Sequence, residues 1–521
     1  MIRINENING VIDIYEKNQL IDQIIPDYDL DKSIDLLKKF NNTKIHNKKI
    51  YQIWKSENYY ILPALQEWIF WDYFVPVVKY KKLFQKYNFN NIDFSKSNLN
   101  NYGVIGIKRY KRIIDKQPNI FLRACKKIVI YFLQMISRSE KLLVFDDGFK
   151  GFRYKRIKKE IFNNKKFTRI HLLTLIDFFS IFKHKAFCYG FVDIIKKRPS
   201  IPPDIFRELL KLDPNGFPKF LDKLETKSEA IINSVAYSKK ILLRNNISKI
   251  FGYDQIEEIL PLVIAAKSES IKVVTYQHGV ITRFHSGWNA PGIPEKYCNL
   301  KADKLIVWGE FWKNNLLHNS NKYLIKDIYV GRHLNKNMIM PLEHDSLKFN
   351  KRKKIVNLLY PFEFMANQIN VEKYFYKFIN GQAKITVKVR NPSINDPAGG
   401  NLKRDSLSYS EDIRNKLNFV YDLSEDEIKN YDAVICTQST YALEMMKLNI
   451  PIWYLDTDLN FIDFITENKI AHKVRLNEAE SIVLNKNDYI QYYSPRYDKK
   501  IYKELFNQDV GDSEIADAIL S

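Results

Sequence analysis

From about residue 138 onward the chain alternates short apolar runs, each closed by a polar turn, with longer stretches whose apolar residues recur at helical spacing. That alternation predicts βα units feeding a parallel sheet. KLLVFDD (141–147), RIHLLTL (169–175) and ISKIFGYD (247–254) read as strands, with a helix-rich insertion near 200–240. QIEEILPLVIAAKSES reads as a helix and IKVVTYQHG as the next strand with its loop, and KADKLIVWGEFWKNNL and IKDIYVGRH continue the series. A lysine-rich joint, NKRKKI (350–355), precedes a second series: IVNLLYP, AKITVKVRNPS, LNFVYD, NYDAVICTQS with a helix from Thr440, and IPIWYLD. Two successive series predict two doubly wound α/β domains, 136–345 and 346–521, with a linker near 345–352. Residues 1–135 carry aromatic stretches at helical spacing, punctuated by Pro63 and Pro76, and are expected to form a helical N-terminal extension. Trp54, Trp68 and Trp71 read there as core packing.

At 521 residues and 45% hydrophobic, the chain can bury more than one core. Its formal charge of +22 favours polyanions, anionic membrane surfaces or phosphorylated small molecules. Nucleic acid is not the expected partner, because Lys and Arg are scattered along the chain and no zinc-finger spacing, RNP-like strand or helix-turn-helix stands out. Cys125, Cys188, Cys298 and Cys436 are far apart and read as free, mostly buried thiols of a reducing cytoplasm. The first residues lack the apolar core of a signal peptide. The longest apolar run, 128–136, is about half of the roughly 18–20 residues that cross a bilayer. The expected location is cytoplasmic, with the basic surface resting on the anionic inner membrane face.

Ligands of doubly wound sheets bind beyond the carboxyl ends of the strands, which makes the loops there the place to look for chemistry. YQHGVITRFHSGWNAPG (276–292) follows an apolar strand directly. Gly279 is expected to let the backbone turn tightly, so that His278 projects from the strand end to bind phosphate, position an acceptor or act as acid/base; Gln277 and His285 belong to the same loop. Asp254 closes the preceding strand and reads equally as a base or nucleophile and as a helix N-cap. Asp146 and Asp147 could act on an acceptor hydroxyl, or simply form an Asp-Asp-Gly turn.

In the second series, TQSTYALEMMKLNIPIW (437–453) runs from a strand into hydroxyl and amide residues at a helix start, a setting that suits a phosphate. Gln438, Ser439 and Thr440 would touch that phosphate and Glu444 the ribose hydroxyls. Lys388 and Arg390, at the tip of another strand, could neutralise its charge or simply be solvated. There is no P-loop, no GxGxxG fingerprint and no metal-ligand spacing, so neither a dinucleotide cofactor nor a metal is expected; DTD (456–458) is a weak metal lead.

AAKSESIKVVTYQHGVITRFHSGW, with KADKLIVWGEFWKNNL and IKDIYVGRH, resembles the N-terminal domain of the GT-B glycosyltransferases of bacterial capsule, O-antigen and lipopolysaccharide assembly, and TQSTYALEMMKLNIPIW resembles their donor-binding motif. The resemblance covers roughly 140–480 and is nearest to Kdo transferases; FDDG is also similar to the acidic motif of bacterial sialyltransferases, although Asn391-Pro392 stands where those have an HP pair. It implies two facing Rossmann-like domains of GT-B type, with a nucleotide-sugar donor on the C-terminal side and a glycan or lipid-linked acceptor on the N-terminal side. A CMP-linked acid sugar would be the donor, with Asp254 placed as a nucleophilic carboxylate and His278 beside the donor. The rivals are a CDP-glycerol-type polyol phosphotransferase, a sugar-nucleotide epimerase and a non-catalytic nucleotide- or polyanion-binding protein.

Overall fold

The computed structural model describes residues 2–6, 12–24, 29–56, 59–87, 92–96, 141–145, 168–172, 187–188, 218–244, 246–253, 260–277, 279–298, 301–333, 355–363, 368–389, 406–407, 409–421, 423–437, 439, 441–457, 462–507 and 509–521. They divide into two compact units, each built from more than one stretch of chain. One comprises 1–33, 75–101 and 337–504; the other 34–74, 102–336 and 505–521. The chain thus crosses between the units at 33/34, 74/75, 101/102, 336/337 and 504/505, rather than dividing into three successive stretches.

The N-terminal region contains the expected helices, α1 (Leu30–Asn41) and α2 (Leu62–Ile69). It also contains a sheet that the helical reading of 1–135 did not foresee, formed by β1 (Ile2–Glu6), β2 (Ile12–Glu16), β3 (Gln19–Ile24) and β4 (Ile92–Lys96) in the order β3-β2-β1-β4. Ile12, Ile14 and Ile4 alternate with polar residues and bury one face, with Ile24, Tyr80 and Leu83. Trp54 is buried, as core packing requires.

The first parallel sheet consists of β5 (Lys141–Phe145), β6 (Thr168–Leu172), β7 (Phe187–Cys188), β8 (Ile247–Tyr253), β9 (Lys272–Tyr276), β10 (Lys304–Val307) and β11 (Ile328–Val330). Its spatial order is β7-β6-β5-β8-β9-β10-β11. The 27-residue helix α3 (Pro218–Arg244) falls in the helix-rich insertion expected at 200–240, of which 200–217 lie outside the described residues. Every residue of α4 from Leu260 to Ala266 is buried, as befits a helix apolar all round (Leu260–Ser268).

The second sheet consists of β12 (Val356–Pro361), β13 (Ala383–Lys388), β14 (Leu417–Val420), β15 (Ala433–Cys436), β16 (Ile452–Leu455) and β17 (His472–Val474), in the order β14-β13-β12-β15-β16-β17. Its central strands are buried almost throughout, because crossover helices of a parallel sheet cover both faces. Helix α7 (Gln368–Asn380), numbered after α5 (Ser286–Asn289) and α6 (Glu310–Asn319), buries Val371, Tyr374, Phe375 and Phe378, one face at 3.6-residue spacing, against Ile385, Val387 and Trp453.

The second sheet therefore runs third-second-first-fourth-fifth-sixth in chain order, the Rossmann arrangement, and the first runs the same way with a seventh strand added at its end; the switch points lie between β5 and β8 in one and between β12 and β15 in the other. The fold is α/β with two Rossmann-like parallel sheets. No described helix is long and apolar enough to cross a membrane.

Candidate functional site

At the switch point of the second sheet the chain leaves β12 through Phe362 to Glu363, which is 4% exposed. Its carboxylate reaches the loop that leaves β15: both oxygens accept from the Thr437 amide at 3.0 Å, one accepts from the Ser439 amide at 2.7 Å, and the Thr437 hydroxyl donates to the other. A buried carboxylate so occupied does for these amides what a bound anion would do. Burial, and after it the charge of Glu363, push the Cys436 thiol well up.

Lys388 ends the neighbouring strand β13, and its Nζ lies 4.8 Å from the ring centre of Tyr441. Tyr441 is joined in turn to Ser439, whose Oγ accepts from its amide at 3.2 Å. Lys388, Ser439 and Glu363 thus gather at the carboxyl ends of three adjacent strands. The helix expected from Thr440 is a single turn, α8 (Tyr441–Glu444), followed by a 3-10 turn through Leu448. So short a helix has little dipole to offer a phosphate. Among the described residues, the Ser439 hydroxyl and the Lys388 ammonium, rather than a helix end, are what this rim presents. Glu444 is half-buried, and its charge, after burial, raises the Tyr502 hydroxyl. Asp456 of the DTD segment pairs with Lys473 at 2.9 Å. Among the described residues no three His, Cys, Asp or Glu side chains cluster as metal ligands would.

In the other unit, Gln277 is buried at the end of β9 and hydrogen-bonded at both ends of its side chain. Its Nε2 donates to Gly279 O at 2.8 Å, its Oε1 accepts from the Trp308 amide at 2.9 Å, and its carbonyl accepts from Trp308 Nε1 at 2.8 Å. Gln277 therefore pins the loop to the end of β10 and has little left for a ligand. The turn expected of Gly279 is not what its lack of a side chain serves: its φ lies outside the left-handed region, and a Cβ would meet nothing within 4 Å. Gly292 is the glycine the backbone requires, at φ 78°, with Asn42 Nδ2 2.9 Å from where a Cβ would stand.

His285 caps the start of α5, with Nδ1 3.3 Å from Thr282 Oγ1 and 3.4 Å from the Thr282 amide. Burial pulls its imidazole down to about 4, so it is neutral near pH 7. It organises the turn at neutral pH and carries no charge for a phosphate. Asp146, Asp147, Asp254, His278, Arg390, Gln438 and Thr440 lie outside the described residues; in sequence, Asp146 follows β5 and Asp254 follows β8.

Two carboxylates escaped the sequence reading. Glu363 had a signal, an acid just past an apolar strand in YPFEF. Glu67 had none, since its partner Gly287 is 220 positions away. Glu67 Oε2 accepts from the Gly287 amide at 2.8 Å and from Ser286 Oγ at 3.2 Å, while Oε1 accepts from Trp71 Nε1 at 2.8 Å.

No protein-family model matches the chain, and no curated protein does. Among solved structures it is similar to the UDP-GlcNAc 2-epimerase of Neisseria meningitidis bound to UDP-GlcNAc, with 13% identity over 73% of this chain and 98% of that one and a TM-score of 0.42. It is likewise similar to the S. aureus MnaA-UDP co-structure, at 9% identity over 73% and 95% with a TM-score of 0.40. Acinetobacter baumannii MurG matches at 13% identity over 73% and 99%, with a TM-score of 0.38.

Proposed function

We propose that the chain is a GT-B-type glycosyltransferase that moves a sugar from a nucleotide-activated donor, a CMP-linked acid sugar in its sharpest form, to a glycan or lipid-linked acceptor at the cytoplasmic face of a membrane. The observation that carries this reading is the gathering of Lys388, Ser439 and the Glu363-held loop at the switch point of a Rossmann sheet. A fold alone does not specify a reaction, so the argument rests on what these groups can do. The Lys388 ammonium, with Arg390, neutralises charge gathering on the departing phosphate, and the Ser439 hydroxyl, with Gln438 and Thr440, hydrogen-bonds it; Glu444 takes the ribose. In this scheme these cations, and not a metal, offset the charge of the departing phosphate. On the acceptor side His278, Asp254 and the Asp146-Asp147 pair are the groups able to take the proton of an acceptor hydroxyl.

Thermal-shift measurements with CMP, CDP, UDP and GDP test the donor site, since a ligand that binds the native state raises its melting temperature. Incubation of a stabilising nucleotide's sugar derivative with acceptor, with and without EDTA, tests the reaction. Transfer of sugar without phosphorus supports the reading; transfer of phosphorus with the polyol makes the protein a phosphotransferase, and a donor isomerised without acceptor makes it an epimerase.

A further inference from the structure

We propose that Glu67 is a positioning residue for the acceptor-side loop, its carboxylate tying Ser286 and Gly287 to helix α2. This rests on the transferase reading for its meaning, and on local geometry for its evidence. The 277–289 segment is held at both ends. Gln277 fixes its start to Trp308; at its far end Glu67 Oε2 holds the Gly287 amide at 2.8 Å and the Ser286 hydroxyl at 3.2 Å. Asn289 Nδ2 closes the segment on itself through the carbonyls of Thr282 and Arg283, at 2.9 and 3.0 Å. In sequence, the loop these anchors hold includes His278.

The grip depends on charge. The ionised carboxylate accepts charge-assisted hydrogen bonds from the Gly287 amide, the Ser286 hydroxyl and Trp71 Nε1; a proton leaves weaker neutral bonds, with only the Ser286 hydroxyl able to turn and accept. Burial raises the Glu67 carboxyl above the ordinary value, and its three hydrogen bonds only partly offset this. The other titratable groups nearby are His285, which precedes Ser286; Lys322, whose Nζ donates to Gly287 O at 3.3 Å; and Lys227, on α3, 5.9 Å from the Trp68 ring centre. On the acid side the carboxylate's hold on the loop therefore weakens at a higher pH than an exposed glutamate would allow.

The test compares the full-length chain with Glu67→Gln and Glu67→Asp. In the wild type kcat should fall on the acid side. Glu67→Asp should keep that limb, while Glu67→Gln should lose it and lower kcat about tenfold at pH 7.5, the scale of one charge-assisted hydrogen bond, with donor-induced thermal shift unchanged. A Glu67→Gln profile of wild-type shape overturns the proposal, whatever its melting temperature. If the wild type turns over no donor, the transferase reading falls, and the anchor is read directly by hydrogen exchange. Peptides covering 282–289 should then exchange about tenfold faster in Glu67→Gln than in wild type. Equal rates would overturn it.

Discussion

The amide of Ser439 donates to the carboxylate of Glu363 over 2.7 Å, joining the segments that leave β12 and β15 across the switch point of the second sheet. A switch point opens because the two crossovers leave in opposite directions, and its rim must still satisfy its amides. Here the protein supplies the negative charge itself. In the proposed reading a donor phosphate would meet the hydroxyl side of the loop and Lys388.

Glu363→Ala should cost about 2–5 kcal/mol, because it orphans the buried amides of Thr437 and Ser439. Glu363→Gln should recover more than half of that: its carbonyl oxygen can keep the amides, and the Thr437 hydroxyl can turn from donor to acceptor. Calorimetric melting checks the pair. Equal losses in the two variants would mean that charge, and not the acceptor geometry, holds the loop.

Lys388→Ala separates binding from folding. Its contact with the Tyr441 ring is worth about 0.5–1 kcal/mol, so the melting temperature should change little. A charge-assisted bond to phosphate is worth about 1.5–3 kcal/mol, so nucleotide affinity should fall by roughly 10- to 150-fold. Titration calorimetry at two salt concentrations measures it; unchanged affinity removes Lys388 from the donor site.

Both Rossmann sheets were legible in the sequence because buried parallel strands are short apolar runs between helical stretches, as in AVIC and IWYL. The same runs placed Lys388 and Ser439 at or just beyond strand ends. The small N-terminal sheet was hidden: IRINE and IDIYE alternate cleanly, but they are brief, and the aromatic helical stretch after them dominates the pattern. Glu67 was out of reach because periodicity reports which face of α2 is buried and is silent on what a residue 220 positions away donates to it.

The last residues belong with the first sheet, which no local pattern announces. Helix α9 (Asp512–Leu520) buries Ile515 and Ile519, and Lys304 Nζ donates to the Ala518 carbonyl at 2.9 Å. Upstream of it, Trp312 Nε1 donates to Leu505 O at 2.7 Å, Asn507 N donates to Trp308 O at 2.9 Å, and Phe506 stacks on Trp308. Truncation after Glu504 should therefore speed hydrogen exchange in 301–333 and leave 430–456 at its wild-type rate. Burial of two isoleucines and a phenylalanine is worth about 1.5–3 kcal/mol each, enough to expose Trp308 and Trp312 to a fluorescence quencher. Exchange that rises equally in both regions would contradict the division of the chain into these units.

The pH dependence of stability tests the loop from its other titratable side. His285 is held at about 4 by burial, against 6.5 in an unfolded chain, so between those values the unfolded state binds more protons. Stability from this ring is therefore complete above about pH 6.5 and drains away as pH falls towards 4, by at most about 3 kcal/mol. Glu67 runs the other way: its raised carboxyl favours the protonated fold, so its share is present at low pH and is lost as pH rises through its folded value. In the wild type the two slopes oppose each other. His285→Gln should flatten the loss on acidification, and Glu67→Gln should steepen it, because each variant leaves the other group acting alone. Melting temperatures read between pH 4 and 7.5 for both variants decide the matter: parallel curves would mean that neither group is held away from its ordinary value by the loop.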